Sequence, residues 1–325
     1  MGKNINVMWN QSTEHIRCLA EEVKPKASRG ETLWGLNKVV VWATTNKKRR
    51  HIMCGIGALV LGQKERSAKE FREIRKSFED LMIATQIRGR HATGAFVVNK
   101  SGIKFYKVPL PASEAIKQDG WGELMGDINE ETIAIVGHVR WATQGDPYEN
   151  ENNHPILNGS IIGVHNGIIS NDYEICQKYP YDEDVDSAAI FASFSANSRK
   201  SRLSTGNIAK SLMELEGDFA IIAADTRRKD SIFLARDASR PLVYAKDSKE
   251  KILWISSTGD IMRKGLKNPL ITPTMMPAYS VARLSASHAG KSPIRVSKWY
   301  EPVKIVEIKD TLERPGQYST KGIWG

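Results

Sequence analysis

The chain has 325 residues, of which 41% are hydrophobic and 26% are charged, so a folded core is expected and disorder of the whole chain is disfavoured. The net charge is +10, yet residues 1–52 hold ten lysines and arginines against four acidic residues. The rest of the chain is therefore nearly balanced in charge, which argues against nucleic acid as the partner of its folded part.

The apolar segment at 39–43 is too short to cross a bilayer, and it precedes a basic run, the reverse of the order in a signal peptide. The chain also has three cysteines, an odd number that is typical of a reducing compartment. We therefore expect a cytoplasmic protein without a membrane segment.

Residues 1–52 show no sustained periodicity, and the regular pattern of a folded domain begins at Met53. We expect this extension to lie outside the domain, either as a leader upstream of a true start at Met53 or as a propeptide. Residues 48–52 favour the first alternative, because they can be encoded with a purine-rich run at the spacing of a bacterial ribosome-binding site. The expected domain covers 53–309, and 310–325 is expected to be a flexible tail.

Within the domain, a strand at 56–61 precedes a long helix for which Ser67 is the candidate N-cap. Short strands follow at 94–98, 103–108, 132–141 and 160–169, and helices at 184–196 and 207–216. Further strands are predicted at 219–225, 231–237, 242–246, 252–256 and 279–284. Since strands and helices come in blocks without βαβ alternation, the pattern favours mainly antiparallel sheets with helices packed outside.

The segment Met-Cys-Gly-Ile at 53–56 offers a nucleophile. If Met53 is removed, Cys54 carries both a thiol and a free α-amino group, whose reference pKa of about 7.7–8.0 lets it accept the thiol proton near neutral pH. The alternative is a buried cysteine that acts only as a small hydrophobic residue at the start of a strand.

Two charged residues offer anchors for an amino acid. Arg140, at the end of the predicted strand 132–141, has a planar fork suited to a carboxylate, although a lone arginine at such a position is more often an ordinary surface residue. Asp186, at a predicted helix start, can bind an ammonium group or simply cap the helix.

Asn166 and Gly167 interrupt an otherwise apolar strand. The interruption can direct an Asn amide and a Gly backbone N–H to one point, as an oxyanion hole requires, or it can form an ordinary Asn-Gly hairpin turn. Together with Cys54, Arg140 and Asp186, it predicts a site for a zwitterionic amino acid that carries a side-chain amide.

Seven short motifs occur in the same order as in class II glutamine amidotransferases: Met-Cys-Gly-Ile, Arg-Gly with Thr-Gly, Gly-His-Val-Arg-Trp-Ala-Thr, Asn-His-Pro, His-Asn-Gly-Ile-Ile, Val-Asp-Ser and Gly-Asp-Phe-Ala. The chain from 53 to about 257 therefore resembles the glutaminase domain of glucosamine-6-phosphate synthase and of glutamine phosphoribosylpyrophosphate amidotransferase. The resemblance implies the N-terminal nucleophile hydrolase fold, an α+β architecture in which two mainly antiparallel sheets form a four-layer αββα sandwich.

The same resemblance assigns roles to individual residues, with L-glutamine as the substrate. It implies that Cys54 is the nucleophile and that Asn166 and Gly167 form the oxyanion hole. Five further residues are implied to bind the substrate: Arg140, Trp141, Thr143, His165 and Asp186. Two more, Arg88 and His138, are implied to support the site. It implies neither a metal ion nor a cofactor.

The chain after Cys54 is too short for an acceptor domain, so ammonia is expected to pass to a separate synthase or transferase. If the amine of Cys54 stays blocked, the chain is instead a non-catalytic glutamine-binding or interaction module. The basic extension leaves a third hypothesis, a protein associated with nucleic acid. The segment 236–241 resembles a turn of the family and is interpreted as structural.

Overall fold

The computed structural model describes residues 53–290 and 294–299. The extension 1–52, the tail 310–325 and the end of the predicted domain after 299 lie outside the described residues. None of the helices in the described part of the chain is both long and apolar enough to cross a membrane.

The described residues contain thirteen strands, seven α-helices and two 3₁₀ helices (Asn150–Asn152 and Ala286–Ala289), all of them short except one α-helix. The strands are β1 (Gly55–Leu61), β2 (Ala92–Asn99), β3 (Ile103–Val108), β4 (Thr132–Arg140), β5 (Ile156–Asn158), β6 (Ile161–Ile169), β7 (Gly217–Asp225), β8 (Arg228–Arg236), β9 (Val243–Asp247), β10 (Ile252–Ser256), β11 (Thr274–Met275), β12 (Ser280–Ser285) and β13 (Val296–Lys298). The helices are α1 (Ala68–Thr85), α2 (Ala112–Ala115), α3 (Asp119–Gly126), α4 (Asp172–Lys178), α5 (Ser187–Asn197), α6 (Thr205–Leu212) and α7 (Gly259–Gly265).

These strands form two antiparallel sheets. The first sheet has seven strands in the order β11-β9-β10-β1-β4-β2-β3, and the second has six in the order β13-β12-β8-β7-β6-β5. β1 lies near the middle of the first sheet between β10 and β4, and β6 pairs along its full length with β7 in the second. β1 and β4 are thus interior strands of the first sheet, whereas among the described residues β6 is paired on its second side only over its first three residues, with β5.

The two faces of β1 enter different cores, because successive side chains of a strand point to opposite sides. Leu59 and Leu61 pack with α1, α3 and α7, whereas Ala58 and Val60 pack between the sheets against β6, β7, β8 and β12. A third core packs α4, α5 and α6 on the outer face of the second sheet. The order helix, sheet, sheet, helix confirms the predicted α+β αββα sandwich.

The long helix α1 begins at a complete capping box. The Ser67 side chain accepts from the Glu70 N–H at 3.3 Å, and the Glu70 carboxylate accepts from the Ser67 N–H at 2.7 Å. Its apolar stripe is buried against the first sheet, as the helical spacing predicts, and comprises Phe71, Ile74, Phe78, Leu81 and Met82. This packing holds β1 rigidly, and Cys54 directly precedes β1.

Two expectations are corrected. Asn166 and Gly167 do not interrupt their strand and do not form a hairpin turn: both stay within β6, paired with Ala220 and Phe219 of β7, because the neighbouring strand continues the ladder on that side. The helix expected at 207–216 ends at Leu212. The elements that were not predicted include α2, α7, β5, β11 and β13, which are too short to display a period.

Candidate active site

The candidate site lies where β1 begins and β4 ends. Because Gly55 pairs with Val139 in antiparallel register, the preceding Cys54 is brought beside the residues that follow β4. The Trp141 N–H donates to the Cys54 sulfur at 3.3 Å, and the sulfur lies 3.5 Å from the Trp141 carbonyl oxygen. Two segments that are 87 residues apart in the sequence thus position one thiol.

A cavity of about 80 Å³ opens at this thiol. It is lined from both sheets and from one later turn, by Met53, Cys54, Trp141, Thr143, Asn166, Gly167, Ile168 and Arg240. Five of the ten predicted site residues therefore meet in one place. Arg140, Asp186, His165, His138 and Arg88 do not line this cavity.

Burial is the main influence on the Cys54 thiol, and it raises the pKa of that thiol above its usual range. The hydrogen bond from the Trp141 peptide and the charges of Arg140 and Arg88 lower the pKa in turn but do not cancel the effect of burial. The thiol is therefore predominantly protonated at neutral pH, and its use as a nucleophile requires a nearby base.

Asn166 is buried with both side-chain polar atoms, Nδ2 and Oδ1, lacking a hydrogen-bond partner in the part of the chain that the structure describes. Buried amides are normally paired, so this side chain is available for a ligand. A Cβ atom on the next residue, Gly167, would clash with the carbonyl oxygen of Asp218 and would lie 2.6 Å from His165 Nε2. Close approach of β7 therefore requires glycine beside the free amide.

Arg140 is 2% exposed, which rules out the surface-arginine alternative. Its Nη1 donates to the Asn153 side-chain oxygen at 2.9 Å, and its Nη2 donates to the carbonyl oxygens of Gln144 and Gly145. The guanidinium thus organises the loop that follows β4 and leads to Thr143. Asn153 belongs to the Asn-His-Pro motif, which explains why the two motifs occur together.

Asp186 is 4% exposed and precedes α5, but its side chain makes no hydrogen bond that caps the helix. Its carboxylate instead accepts from the Ile169 N–H at 2.7 Å, at the end of β6. The helix-cap alternative is therefore not supported. The carboxylate is close enough to raise the pKa of the Cys54 thiol electrostatically, so it belongs to the surroundings of the cavity.

The predicted substrate-binding residue His165 lies behind the cavity. Its Nδ1 is 2.8 Å from the Ser187 hydroxyl and its Nε2 is 3.3 Å from the Asp218 carbonyl oxygen. His138 Nε2 lies 2.9 Å from the His165 carbonyl oxygen, and burial lowers the pKa of His138 to about 3. The ring of His165, a residue of β6, thus contacts α5, whereas the ring of His138 reaches the backbone of β6 from β4.

Arg88 supports the nucleophile from the other side, because its Nε donates to the Cys54 carbonyl oxygen at 2.7 Å. In the described residues, no group of three or more His, Cys, Asp or Glu side chains is arranged to hold a metal ion. The buried His138 and His154 rings pack against each other with centroids 4.1 Å apart.

Three cavity residues were missed by sequence reasoning, namely Met53, Ile168 and Arg240. Arg240 belongs to the turn 236–241, which was interpreted only as structural, and its Nη1 contacts the Met53 sulfur. A signal for Arg240 existed: pairing of Ala220 with Arg236 in the β7–β8 hairpin brings the following turn beside the start of β7. No spacing pattern indicates the contact with Met53.

Comparisons with known proteins identify glutamine amidotransferases as similar to this chain. A family model described as a glutamine amidotransferase domain matches residues 138–264. The chain is 30% identical over 196 residues to glutamine--fructose-6-phosphate aminotransferase of Staphylococcus epidermidis, covering 59% of this chain and 30% of that protein. It is 31% identical over 201 residues to the protein of the same name from Bacillus subtilis, covering 60% of this chain and 31% of that protein. The chain thus spans less than a third of the length of either relative.

Two solved structures share the fold. Glutamine phosphoribosylpyrophosphate amidotransferase from B. subtilis, complexed with ADP and GMP, superposes with a TM-score of 0.56 at 16% identity over 77% of this chain and 50% of that one. A structure described as the allosteric regulatory enzyme of purine biosynthesis superposes with a TM-score of 0.57 at 17% identity, with the same coverage. With the matched domain, the relatives and the αββα sandwich in agreement, we conclude that the chain carries a class II glutamine amidotransferase domain of the N-terminal nucleophile hydrolase fold.

Proposed function

We propose that this chain hydrolyses L-glutamine to L-glutamate and ammonia in a form that begins at Cys54. The observation that carries the proposal is the meeting, in one cavity, of the Cys54 thiol with the buried and unpartnered amide of Asn166. A nucleophile and an unused hydrogen-bond donor in one cavity are the two parts that attack on a carboxamide requires.

In the proposed reaction, the Cys54 sulfur attacks the side-chain amide carbon of glutamine while the thiol proton passes to the α-amino group of the same residue. The resulting oxyanion accepts hydrogen bonds from the Asn166 Nδ2 and the Gly167 N–H. Collapse of this intermediate breaks the C–N bond, and the protonated α-amino group returns its proton to the departing nitrogen, which leaves as ammonia. Water then hydrolyses the thioester, which releases glutamate and restores the thiol.

The α-amino group is the proposed base because the burial that raises the pKa of the Cys54 thiol leaves little thiolate at neutral pH. Neither His138 nor His165 is assigned the role of base. Both are buried behind the cavity, where backbone and serine oxygens hold their rings. The proposal therefore depends on a free amine at Cys54.

Met53 prevents this while it is present, because the nitrogen of Cys54 is then part of a peptide bond. Met53 also lines the cavity. A volume of about 80 Å³ is well below the roughly 300 Å³ at which small-molecule sites begin. We propose that removal of Met53, by initiation at that residue followed by excision or by cleavage of a propeptide, both frees the amine and enlarges the cavity for glutamine.

The two ends of the glutamine backbone are assigned to Arg140 and Asp186, with Trp141 and Thr143 along the cavity wall. The α-carboxylate would take donors of Arg140 that now serve the carbonyl oxygens of Gln144 and Gly145. The α-ammonium would be held by the Asp186 carboxylate. His165, His138 and Arg88 act as supports in this proposal, through the contacts described above.

The chain spans 30% of the S. epidermidis relative, whose name specifies fructose 6-phosphate as the acceptor. We propose that the ammonia made here passes instead to an acceptor enzyme on a separate chain, in the cytoplasm. The acceptor is a separate question from glutamine hydrolysis, which the chain is proposed to perform by itself.

Incubation of the purified protein with glutamine tests the proposal, with glutamate release and heat of binding measured on the same preparation. We expect stoichiometric glutamate and ammonia from a sample whose mass shows Cys54 at the N-terminus. Binding of glutamine without glutamate release by that form would contradict the proposal and would favour the non-catalytic glutamine-binding module.

A further inference from the structure

The turn after β8 places a second arginine at the cavity. Arg240 has a side chain that is 13% exposed, and it forms a two-point ion pair with Asp218. Its Nε donates to Asp218 Oδ1 at 2.7 Å and its Nη2 lies 2.7 Å from Asp218 Oδ2. Two parallel bonds of this kind fix the orientation of the guanidinium as well as its position.

Asp218 also holds the segment that follows the free amide of Asn166. Its Oδ1 accepts from the Ile168 N–H at 2.9 Å, in addition to the bond from Arg240. Its backbone carbonyl oxygen lies so close to Gly167 that no Cβ atom fits there. One residue of β7 thus holds the Gly167–Ile168 peptide by a hydrogen bond and packs closely against Gly167 itself.

The remaining nitrogen of the Arg240 guanidinium, Nη1, points to the cavity, where it contacts the Met53 sulfur. The neighbouring Arg236 is different, because its nitrogens donate to the carbonyl oxygens of Asp237, Ala238 and Met276 and hold the turn itself. Arg236 is therefore the arginine that holds the turn in shape. The position of Arg240 at the cavity calls for a different explanation.

We propose that Arg240 is a positioning residue that acts through Asp218 on the Gly167–Ile168 peptide, and thereby on the adjoining backbone N–H of Gly167. This inference rests on the proposed function, in which that N–H stabilises the oxyanion. With Arg240 in place, Asp218 keeps the Gly167–Ile168 peptide fixed relative to the Cys54 sulfur. Without Arg240, the carboxylate of Asp218 is free to turn toward solvent, and the peptide loses its restraint.

The test is steady-state kinetics of Arg240→Gln, Asp218→Asn and the double variant, in the form of the protein that hydrolyses glutamine. We expect kcat to fall about 10-fold or more with KM nearly unchanged, which is less than the 10²- to 10³-fold loss for a missing oxyanion donor. The double variant should be no slower than the slower single variant, because each change breaks the same Arg240–Asp218 ion pair. Arg240→Lys should recover only part of kcat, since lysine lacks the planar fork.

The matched control is the Asp230–Arg283 pair, which has the same 2.7 Å separation between β8 and β12 away from the cavity. Arg283→Gln is expected to leave kcat and KM unchanged. A second readout is binding of the γ-aldehyde of L-glutamate, which forms a tetrahedral adduct with a thiol, compared with binding of L-glutamate. Arg240→Gln should weaken aldehyde binding by about the same factor as kcat and leave glutamate binding unchanged.

The outcomes separate this inference from the proposed function. Wild-type kcat in a folded Arg240→Gln variant, or a rise in KM alone, would overturn the positioning role while glutamine hydrolysis stands. If Arg240→Gln does not fold, Asp218→Asn becomes the deciding variant. Unchanged kcat and unchanged aldehyde binding in Asp218→Asn would also overturn the positioning role. A wild-type protein that releases no glutamate would overturn both proposals.

Discussion

The two walls of the cavity use their polar groups differently. On the wall from the first sheet, the Cys54 sulfur contacts the Trp141 peptide, and both terminal nitrogens of Arg140 behind it donate to the segment after β4. On the wall from the second sheet, Asn166 is buried with both amide atoms unpartnered among the described residues. Because an unpaired buried amide lowers stability, the comparison indicates that the polar groups of the first wall are already held by protein contacts, whereas the amide of Asn166 is left for a ligand.

Cys54→Ala is expected to have the largest effect, because it removes the only reactive group of the first wall. Glutamate release should fall by at least about 10³-fold, as is typical when a covalent nucleophile is deleted. The fold should persist, since among the described residues the sulfur makes two weak polar contacts, both with Trp141. Kinetics and circular dichroism on one sample check both statements, and a wild-type rate would remove Cys54 from the mechanism.

The comparison of the walls is sharpest for two asparagines. Asn166→Ala should lower kcat about 10²- to 10³-fold, because it deletes an oxyanion donor. Asn153→Ala is the matched control: its Oδ1 accepts from Arg140 and its Nδ2 donates to the Pro147 carbonyl oxygen at 2.7 Å. Loss of these bonds should lower the free energy of unfolding by about 1–3 kcal/mol, and Asn166→Ala should lower it less.

Thermal or urea unfolding of the two variants gives the answer. If Asn166→Ala destabilises the protein as much as Asn153→Ala does, the amide of Asn166 serves the fold and the distinction between the walls fails.

Much of this arrangement follows from the sequence because it is local. The strand and helix pattern predicts the blocks of the sandwich, and Ser67 with Glu70 predicts the start of α1. The motifs also point to Cys54, Asn166 and Gly167. What the sequence does not reveal depends on contacts between distant segments: the continuity of β6 through Asn166 and Gly167, and the approach of Arg240 to Met53, 187 residues away.

Asp186→Asn tests the proposed ammonium site at the end of the second wall. Loss of a charge-assisted bond is worth roughly 1.5–3 kcal/mol, so KM for glutamine should rise about 10- to 150-fold with a smaller change in kcat. The asparagine oxygen can still accept from the Ile169 N–H, so the local structure should be kept. An unchanged KM would limit Asp186 to its structural bond with Ile169.

His138, whose ring contacts the backbone of β6, is expected to have a smaller, pH-dependent effect on the stability of the fold. Burial lowers its pKa to about 3 in the folded protein, from 6.5 in the unfolded chain. The unfolded state therefore binds an extra proton between these values, so this contribution to stability is complete above pH 6.5 and declines as pH falls toward 3. One pH unit below 6.5 the expected loss is about 1 kcal/mol.

Urea unfolding of wild type and His138→Gln at pH 7 and pH 5.5 measures this pH-dependent contribution of His138 to the free energy of unfolding. The variant should be less stable at pH 7 and should lose less stability between the two pH values. An equal loss in both proteins would show that His138 does not titrate on unfolding.

The central claim is that Cys54 acts with its own free α-amino group, and the state of the N-terminus tests it most directly. Glutamate release should be measured on two preparations whose intact masses are known, one beginning at Cys54 and one retaining the peptide bond between Met53 and Cys54. The account predicts turnover in the first preparation and none in the second. Equal turnover in both would contradict the account, because a blocked amine cannot accept the thiol proton.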